Sequence, residues 1–411
     1  MDCEYQQVQW SFVTMKLVFM VAVFWLAYIY AGYPIILALL GLTKRVRPVN
    51  DENEPRIPSV SVLIAARNEE QDIGWKIAET LAWDYPPEKL HITVASDASE
   101  DSTDEIIRGF SDARVTLVRM DRRGGKARAL NRLAELSKSQ ILFFTDANAH
   151  IAPQVLRLMV RHFADSRVGC VTGDSQSIEE TDSPAVSRGA SVYWSYETIL
   201  KRLENRIGSV LVCDGAIFCM RAELYQPVSV NLANDLEIPM RVGTAGYLVT
   251  HEPEAIVFER DTASPLEEFN RRRRMCAQGM LAVFTLRGAL RGVRGWQFIS
   301  HKLLRWLSLI PMLMILMSSA VLAENSGFFL CVLALEGIFF GLAGWALVLT
   351  AFRRSVPAPL AIPFYVVLGV VGALVGIGES LLGRRFDVWD IPKMSRGPAP
   401  KVSSTTTTQE V

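Results

Sequence analysis

The chain has 411 residues, half of them hydrophobic, and its 43 basic side chains balance 43 acidic ones. Such a neutral chain lacks the basic excess of nucleic-acid-binding proteins, so no nucleic-acid partner is expected. Its apolar residues concentrate in residues 1–42 and beyond Leu303, which predicts membrane segments flanking a soluble unit. Cys3, Cys170, Cys213, Cys219, Cys276 and Cys331 show no C-x-x-C pair and no metal-ligand spacing. They read as reduced thiols of a cytoplasmic compartment.

Residues 1–16 form a short N-terminal segment. Residues 17–42 carry no charge, are long enough for a bilayer helix and hold Trp and Tyr anchors. That run is too long for a signal-peptide apolar region and lacks a small-residue cleavage site, so a retained anchor is expected. Lys44, Arg45 and Arg47 follow, which by the positive-inside tendency puts the next segment in the cytoplasm. Residues 43–58 read as a polar, Pro-bearing linker. From Val60 strand and helix alternate: strands over 60–66, 90–95, 115–118 and from Ile141, with helices between them. The first helix puts Ile73, Ile77 and Leu81 on one face. Such alternation predicts an α/β fold with a parallel, doubly wound sheet. The stretch 168–258 is more mixed, with strands over 168–172, 217–220, 247–250 and 255–258 and helices over 185–203 and from Asn234. Residues 285–302 interleave Arg287, Arg291, Arg294 and Lys302 with bulky apolar side chains, the pattern of an interfacial helix. Residues 303–383 hold about three further membrane candidates, 306–323, 328–351 and 359–382. Residues 384–411 form a polar tail.

The chemistry gathers at the predicted strand ends. Ile141, Leu142, Phe143 and Phe144 make a strand buried on both faces that runs into Asp146 and Asn148. Two residues apart in an extended segment, these side chains project to one side and offer oxygen to Mg²⁺ or Mn²⁺. An Asx turn is the competing reading of that tripeptide. Glu69, Asp97 and Lys126 also sit at or soon after strand ends, and right-handed crossovers place such ends on one edge. Carboxylates for base and ribose, a Lys for phosphate and a bridging metal suit a nucleotide diphosphate. Gly124, Gly125 and Lys126 lack the Walker spacing, and no G-x-G-x-x-G follows the first strand. Asp235 opens a helix, either as a general base or, with Asn234, as a cap. Arg271, Arg272, Arg273 and Arg274 suit either a leaving diphosphate or a solvated patch. His91, His150, His162, His251 and His301 show no metal spacing and read as structural.

In this order, Arg67-Asn-Glu69, Ser96-Asp97-Ala98-Ser99, Lys126-Ala-Arg-Ala-Leu-Asn131, Asp146-Ala-Asn148, Asp214-Gly-Ala216, Asn234-Asp235 and Arg271-x-x-Arg274 resemble the catalytic core of membrane-bound family 2 glycosyltransferases. The group includes cellulose, chitin and hyaluronan synthases, and the resemblance covers residues 59–284. It implies a GT-A fold for a cytoplasmic domain with flanking transmembrane helices, and the compact architecture suggests a bacterial inner or plasma membrane. It also implies a nucleotide-sugar donor, most often a UDP-sugar, with Mg²⁺ or Mn²⁺. By the same resemblance Glu69 and Asp97 contact the uridine and Lys126 the nucleotide. Asp146, with Asn148, takes the metal and diphosphate. Asp214, Gly215, Arg271 and Arg274 serve the acceptor or diphosphate, and Asp235 is the base of an inverting displacement. Asn148 replaces a carboxylate and removes a charge. Where processive synthases carry Q-x-x-R-W, Arg271, Arg274 and Met275 stand here, so the Gln and the aromatic platform are absent. The expectation is therefore a single transfer onto a lipid-linked, glycolipid or glycan acceptor at the membrane lipid surface. A processive exopolysaccharide synthase is the alternative. An inactive nucleotide-binding protein is a third reading, opposed by the joint presence of Asp97, Asp146 and Asp235.

Overall fold

The computed structural model describes residues 2–43, 57–178, 184–260, 264–352 and 354–386. The basic residues Lys44, Arg45 and Arg47, most of the linker, Arg353 and the tail from residue 387 lie outside the described residues. Among the described residues eight strands make one mixed sheet: β1 (Val60–Ala66), β2 (Leu90–Ser96), β3 (Val115–Arg119), β4 (Ile141–Asp146), β5 (His150–Ile151), β6 (Val168–Ile178), β7 (Ile217–Arg221) and β8 (Leu248–Arg260). Their order is β3-β2-β1-β4-β7-β6-β8-β5.

The first four strands are parallel, as the alternation predicts, and helices Ile73–Leu81, Thr103–Arg108 and Lys126–Leu136 join them. All of β1 is buried, and β4 is buried up to Thr145. Alternate side chains go to opposite faces. Val62, Ile64 and Phe143 meet Ile73 and Ile77 on one side; Leu63, Leu142 and Phe144 meet Ala129, Leu130 and Leu133 on the other.

Beyond β4 the sheet departs from a purely parallel one. β7 runs antiparallel to both β4 and β6. The two short strands expected over 247–258 form one strand, β8, which lies parallel to a longer β6 with an irregular register. Thr172 pairs with His251 while Asp174 pairs with Ile256, so the ladder skips the residues around Pro253. Pro cannot donate to a ladder and is tolerated at such a bulge. Gly173 permits the close approach there, since a Cβ on it would lie 2.1 Å from the Ala255 carbonyl oxygen. The two-residue strand β5, which periodicity over so few residues cannot reveal, pairs antiparallel with the end of β8, His150 opposite Phe258. β5 follows β4 after one turn. The far end of the sheet therefore curls back to the carboxyl end of β4.

Among the described residues three helices are long and apolar enough to cross a membrane: Phe12–Leu42, Gly327–Ala351 and Ala358–Leu381. The expected span 306–323 is different. Leu309–Leu322 is too short alone and qualifies only with Gly292–Trp306, from which it bends by 55°. Nor is 285–302 one surface helix. It breaks into a 3₁₀ turn Arg287–Leu290, a short helix Gly292–Gln297 and a π-turn Phe298–Leu303, with Phe298, Ser300 and His301 buried. Gly292 has a positive φ of 62°, which breaks the run. A Cβ on Gly295 would lie 2.0 Å from the Leu290 carbonyl oxygen, so a side chain there is excluded.

Candidate active site

The carboxyl ends of β1, β2 and β4 share one edge, and the motif side chains interlock there. After β1 the Arg67 guanidinium donates to the Asp97 and Ala98 carbonyls, both at 2.7 Å. Asn68 has a positive φ of 51°, a conformation Asn tolerates, and its Oδ1 accepts from the Glu100 amide at 2.9 Å. The Asp97 carboxylate accepts from the Gly124 and Gly125 amides at 2.7 and 2.8 Å. Gly125, at φ 82°, then starts the helix that presents Lys126, and Lys126 pairs with Asp146. Asp97, Lys126 and Asp146 therefore form one unit. Glu69, which follows β1 on the same edge, is only 3% exposed, and its backbone amide donates to the Thr103 hydroxyl at 2.8 Å.

Asn148 occupies a turn and is half-buried. The extended geometry expected for Asp146 and Asn148 is not kept, because the chain reverses from β4 into β5. Helix Ile73–Leu81 holds that turn from below. The fully buried Lys76 donates to the Ala149 carbonyl, and Glu79 meets His150 Nδ1 and accepts from the Ile151 amide, both at 3.2 Å. Burial pushes the Lys76 ammonium down to about 8, against the opposing pull of Glu79, Asp146 and Glu259. Lys76 was not singled out from sequence, where it reads as one charge in an amphipathic helix.

A second group comes from the antiparallel part of the sheet. Asp214 is buried; it accepts from the Ser175 hydroxyl at 2.7 Å and lies 3.8 Å from Lys201 Nζ. Lys201 also pairs with Asp174 at 2.6 Å, and Asp174 with His251 at 2.9 Å. Gly215 lies against Asp235: a Cβ on it would sit 3.7 Å from an Asp235 carboxylate oxygen. Asp235 does not cap its helix, since Asn234–Thr244 has Ala233 at the N-cap and no side-chain cap bond. Burial raises the half-buried Asp235 carboxyl, Asp214 adds to the effect, and Lys126 and Lys302 oppose it.

Glu259, also missed from sequence, links the two groups. Burial and the fields of Asp214 and Asp146 push its carboxyl up to about 7. The only sequence signal was a carboxylate just past a predicted strand end. Among the described residues no three His, Cys, Asp or Glu side chains converge as a metal cage. The concentrated negative charge fits a hard cation that takes few protein oxygens and completes its shell with phosphate and water.

The arginines divide. Arg271 lies 3.9 Å from Glu268, with its guanidinium carbon 5.3 Å from the centre of the Trp194 ring. Arg272 donates to Glu268 and Tyr365 at 2.7 and 2.6 Å. Arg273 pairs with Glu379, and Arg274 is half-buried on the same helix, Pro265–Thr285. Arg271, Arg272 and Arg273 pack against neighbouring helices, so a solvated patch is excluded for Arg272. All but one of the histidines meet carboxylates as structural bridges, His301 between Glu197 and Glu204 at 2.9 and 2.8 Å; His91 lies in β2. Finally, a cavity of about 350 Å³ opens beside Asp235, with Met275, Trp306, Tyr193 and helix Ala358–Leu381 in its walls. Aromatic side chains thus surround the position where a Trp is missing from the motif, contributed by other helices.

Residues 55–277 match the family model described as glycosyltransferase like family 2. The chain is 28% identical over 225 residues to the probable glycosyltransferase YdaM of Bacillus subtilis, covering 51% of this chain and 52% of that protein. It is 32% identical over 132 residues to the beta-monoglucosyldiacylglycerol synthase of Trichormus variabilis, covering 31% of this chain and 28% of that one. The matches thus span about half or less of these relatives. The mannosyltransferase PcManGT from Pyrobaculum calidifontis, solved in complex with GDP-Man and Mn²⁺, shares the fold with a TM-score of 0.63 at 21% identity, over 87% of this chain and 99% of that one. The mixed sheet with its strand-end site is a GT-A fold, and with its matched domain the chain belongs to glycosyltransferase family 2.

Proposed function

We propose that this protein is an integral-membrane, inverting glycosyltransferase. It moves a sugar from a nucleotide-sugar donor, of the UDP class, to a lipid-linked or glycolipid acceptor at the cytoplasmic face. Asp97 fixes the Gly124–Gly125 turn so that Lys126 meets the donor phosphates. Asp146 and Asn148 would hold Mg²⁺ or Mn²⁺, and a metal there would supply positive charge to the diphosphate leaving group. Arg271 and Arg274 supply further positive charge on the acceptor side. Asp235 takes the proton of the acceptor hydroxyl, and attack from the face opposite the diphosphate inverts the anomeric carbon.

The observation that carries this reading is the position of Asp235. It caps nothing, and it lines a cavity whose far wall is a helix of membrane-spanning length and apolarity. The direct test uses purified protein in detergent with Mn²⁺, radiolabelled nucleotide sugars and lipid extract. Label entering the organic phase as a short product is expected. High-molecular-weight, water-soluble label would instead identify a processive synthase, and no donor binding would revive an inactive protein.

A further inference from the structure

The cavity beside Asp235 reaches outward to the membrane helices. Among the described residues that line it, only Tyr30 and Ile362 are exposed, at 46% and 52%; the rest are buried or half-buried. Both lie on helices long and apolar enough to cross a membrane, so the mouth they frame faces lipid. One rim is fixed by hydrogen bonds. Tyr30 sits in the π-turn Tyr28–Gly32, and the Tyr196 hydroxyl donates to the Ile29 and Tyr30 carbonyls at 3.0 and 3.3 Å. From the other rim an apolar stripe leads inward along helix Ala358–Leu381. Ile362, Val366 and Val370 recur every fourth residue, with Gly369 and Ala373 beside them, over about 16 Å of wall. A Cβ on Gly369 would meet nothing within 4 Å, so open space lies against the helix there.

At the inner end the charges answer one another. Arg272 donates to Glu268 at 2.7 Å, and Arg305 and Lys302 donate to Glu197 at 2.7 and 3.1 Å. His301 bridges Glu197 and Glu204. Every basic side chain lining the cavity thus has its carboxylate, and Asp235 adds one more. An anionic headgroup would have to break a pair beside two carboxylates, which a buried site resists. Resting on the function proposed above, we infer that the acceptor is a membrane lipid with an uncharged, hydroxyl-bearing headgroup that enters sideways between Tyr30 and Ile362. Its chains stay along Ile362, Val366 and Val370, Gly369 leaves the passage open, and its hydroxyl reaches Asp235. The hydroxyl proton passes to Asp235, the oxygen bonds to the anomeric carbon, and the nucleoside diphosphate leaves with the electron pair of the broken bond.

The test measures binding of three probes to the full chain in detergent by native mass spectrometry: dioleoylglycerol, monoglucosyl dioleoylglycerol and dioleoyl phosphatidylglycerol. One of the two uncharged lipids is expected to bind at least about tenfold tighter than phosphatidylglycerol, and the tighter of the two names the source. Gly369→Leu fills the open space without a clash. It is expected to weaken that lipid about tenfold, as when roughly two methylene groups lose their burial, with UDP binding unchanged. Ile362→Asp, at the mouth, is expected to do the same. Gly378→Leu is the control: it also meets nothing within 4 Å, lies on the same helix outside the cavity, and should leave lipid binding as it is. Phosphatidylglycerol binding as tightly as the uncharged lipids, or unchanged lipid binding in Ile362→Asp, would overturn the inference. Sugar transfer to a lipid that neither Gly369→Leu nor Ile362→Asp diminishes would keep the proposed function and remove this route. Lipid binding that both variants weaken, without transfer to any lipid, would do the reverse.

Discussion

Asp235 heads a helix that begins without a side-chain cap, so its carboxylate is left for chemistry. Asp235→Asn is expected to lower the transfer rate by about 10²- to 10⁴-fold with UDP affinity unchanged, since a base acts only in the chemical step. Equal turnover in that variant would remove the assignment. The raised carboxyl also sets a sign: the rate should climb with pH as Asp235 loses its proton, and Asp235→Asn should lack that limb. For Asp146→Ala the readout is UDP binding with and without Mn²⁺, and the metal-dependent part should vanish. Glu259 gives a stability prediction. Its folded carboxyl is pushed up to about 7, so the native state holds a proton that the unfolded chain has released. That contribution is complete below the unfolded value near 4.5 and is lost as pH rises through about 7. The melting temperature of metal-free wild type should therefore fall between pH 5 and pH 8 relative to Glu259→Gln.

Elements hold these residues through non-local contacts. Helix Ile73–Leu81 presents Lys76 and Glu79 to the turn between β4 and β5. Lys76→Met would leave the Ala149 carbonyl without its charged donor. It should destabilise the fold by about 1.5–3 kcal/mol and weaken donor binding more than turnover, measured as KM against kcat. Helix Ala358–Leu381 approaches Pro265–Thr285 through Gly372 and Gly376. A Cβ on Gly376 would lie 2.1 Å from the Arg273 carbonyl oxygen, so the helices must part in Gly376→Ala. A loss of about 1–3 kcal/mol is expected, read by thermal unfolding in detergent. The spacing of Ile73, Ile77 and Leu81 revealed the first of these helices and a long apolar run revealed Ala358–Leu381, but neither signal revealed their partners. Hydrophobic spacing identifies which face of a helix is buried and says nothing about what it is buried against.

Across the whole molecule the apolar helices are not equivalent. Half of the most apolar stretch of Ala358–Leu381 is buried, against 11% for Gly327–Ala351. Its end is tied to the catalytic domain, where Glu379 pairs with Arg273 and Gln278 donates to the Phe386 carbonyl at 3.4 Å. In the sequence, Arg353 and Arg354 precede this helix and Arg384 and Arg385 follow it, so charge alone leaves the side of its end open. A cysteine placed at Gly383 and one in the catalytic domain should therefore react with a membrane-impermeant maleimide from the same face. Labelling from opposite faces would mean that this helix crosses the bilayer away from the domain.

The strands β1 to β4, the long apolar helices and the strand-end residues Asp97, Lys126 and Asp146 were legible in the sequence, because burial on two faces and strand-end placement are written in neighbouring residues. Asp235 was legible as a candidate, although its competing role as a cap could be dismissed only from the backbone around Ala233. Tertiary structure alone decided the rest. The curl that pairs β5 with β8 brings Glu259 within the field of Asp146. The docking of helices distant in sequence sets Tyr193, Lys302, Arg305 and Trp306 around one cavity. These residues share no local spacing. Their convergence follows from which apolar faces pack together, and that is a property of the folded chain rather than of any stretch of it.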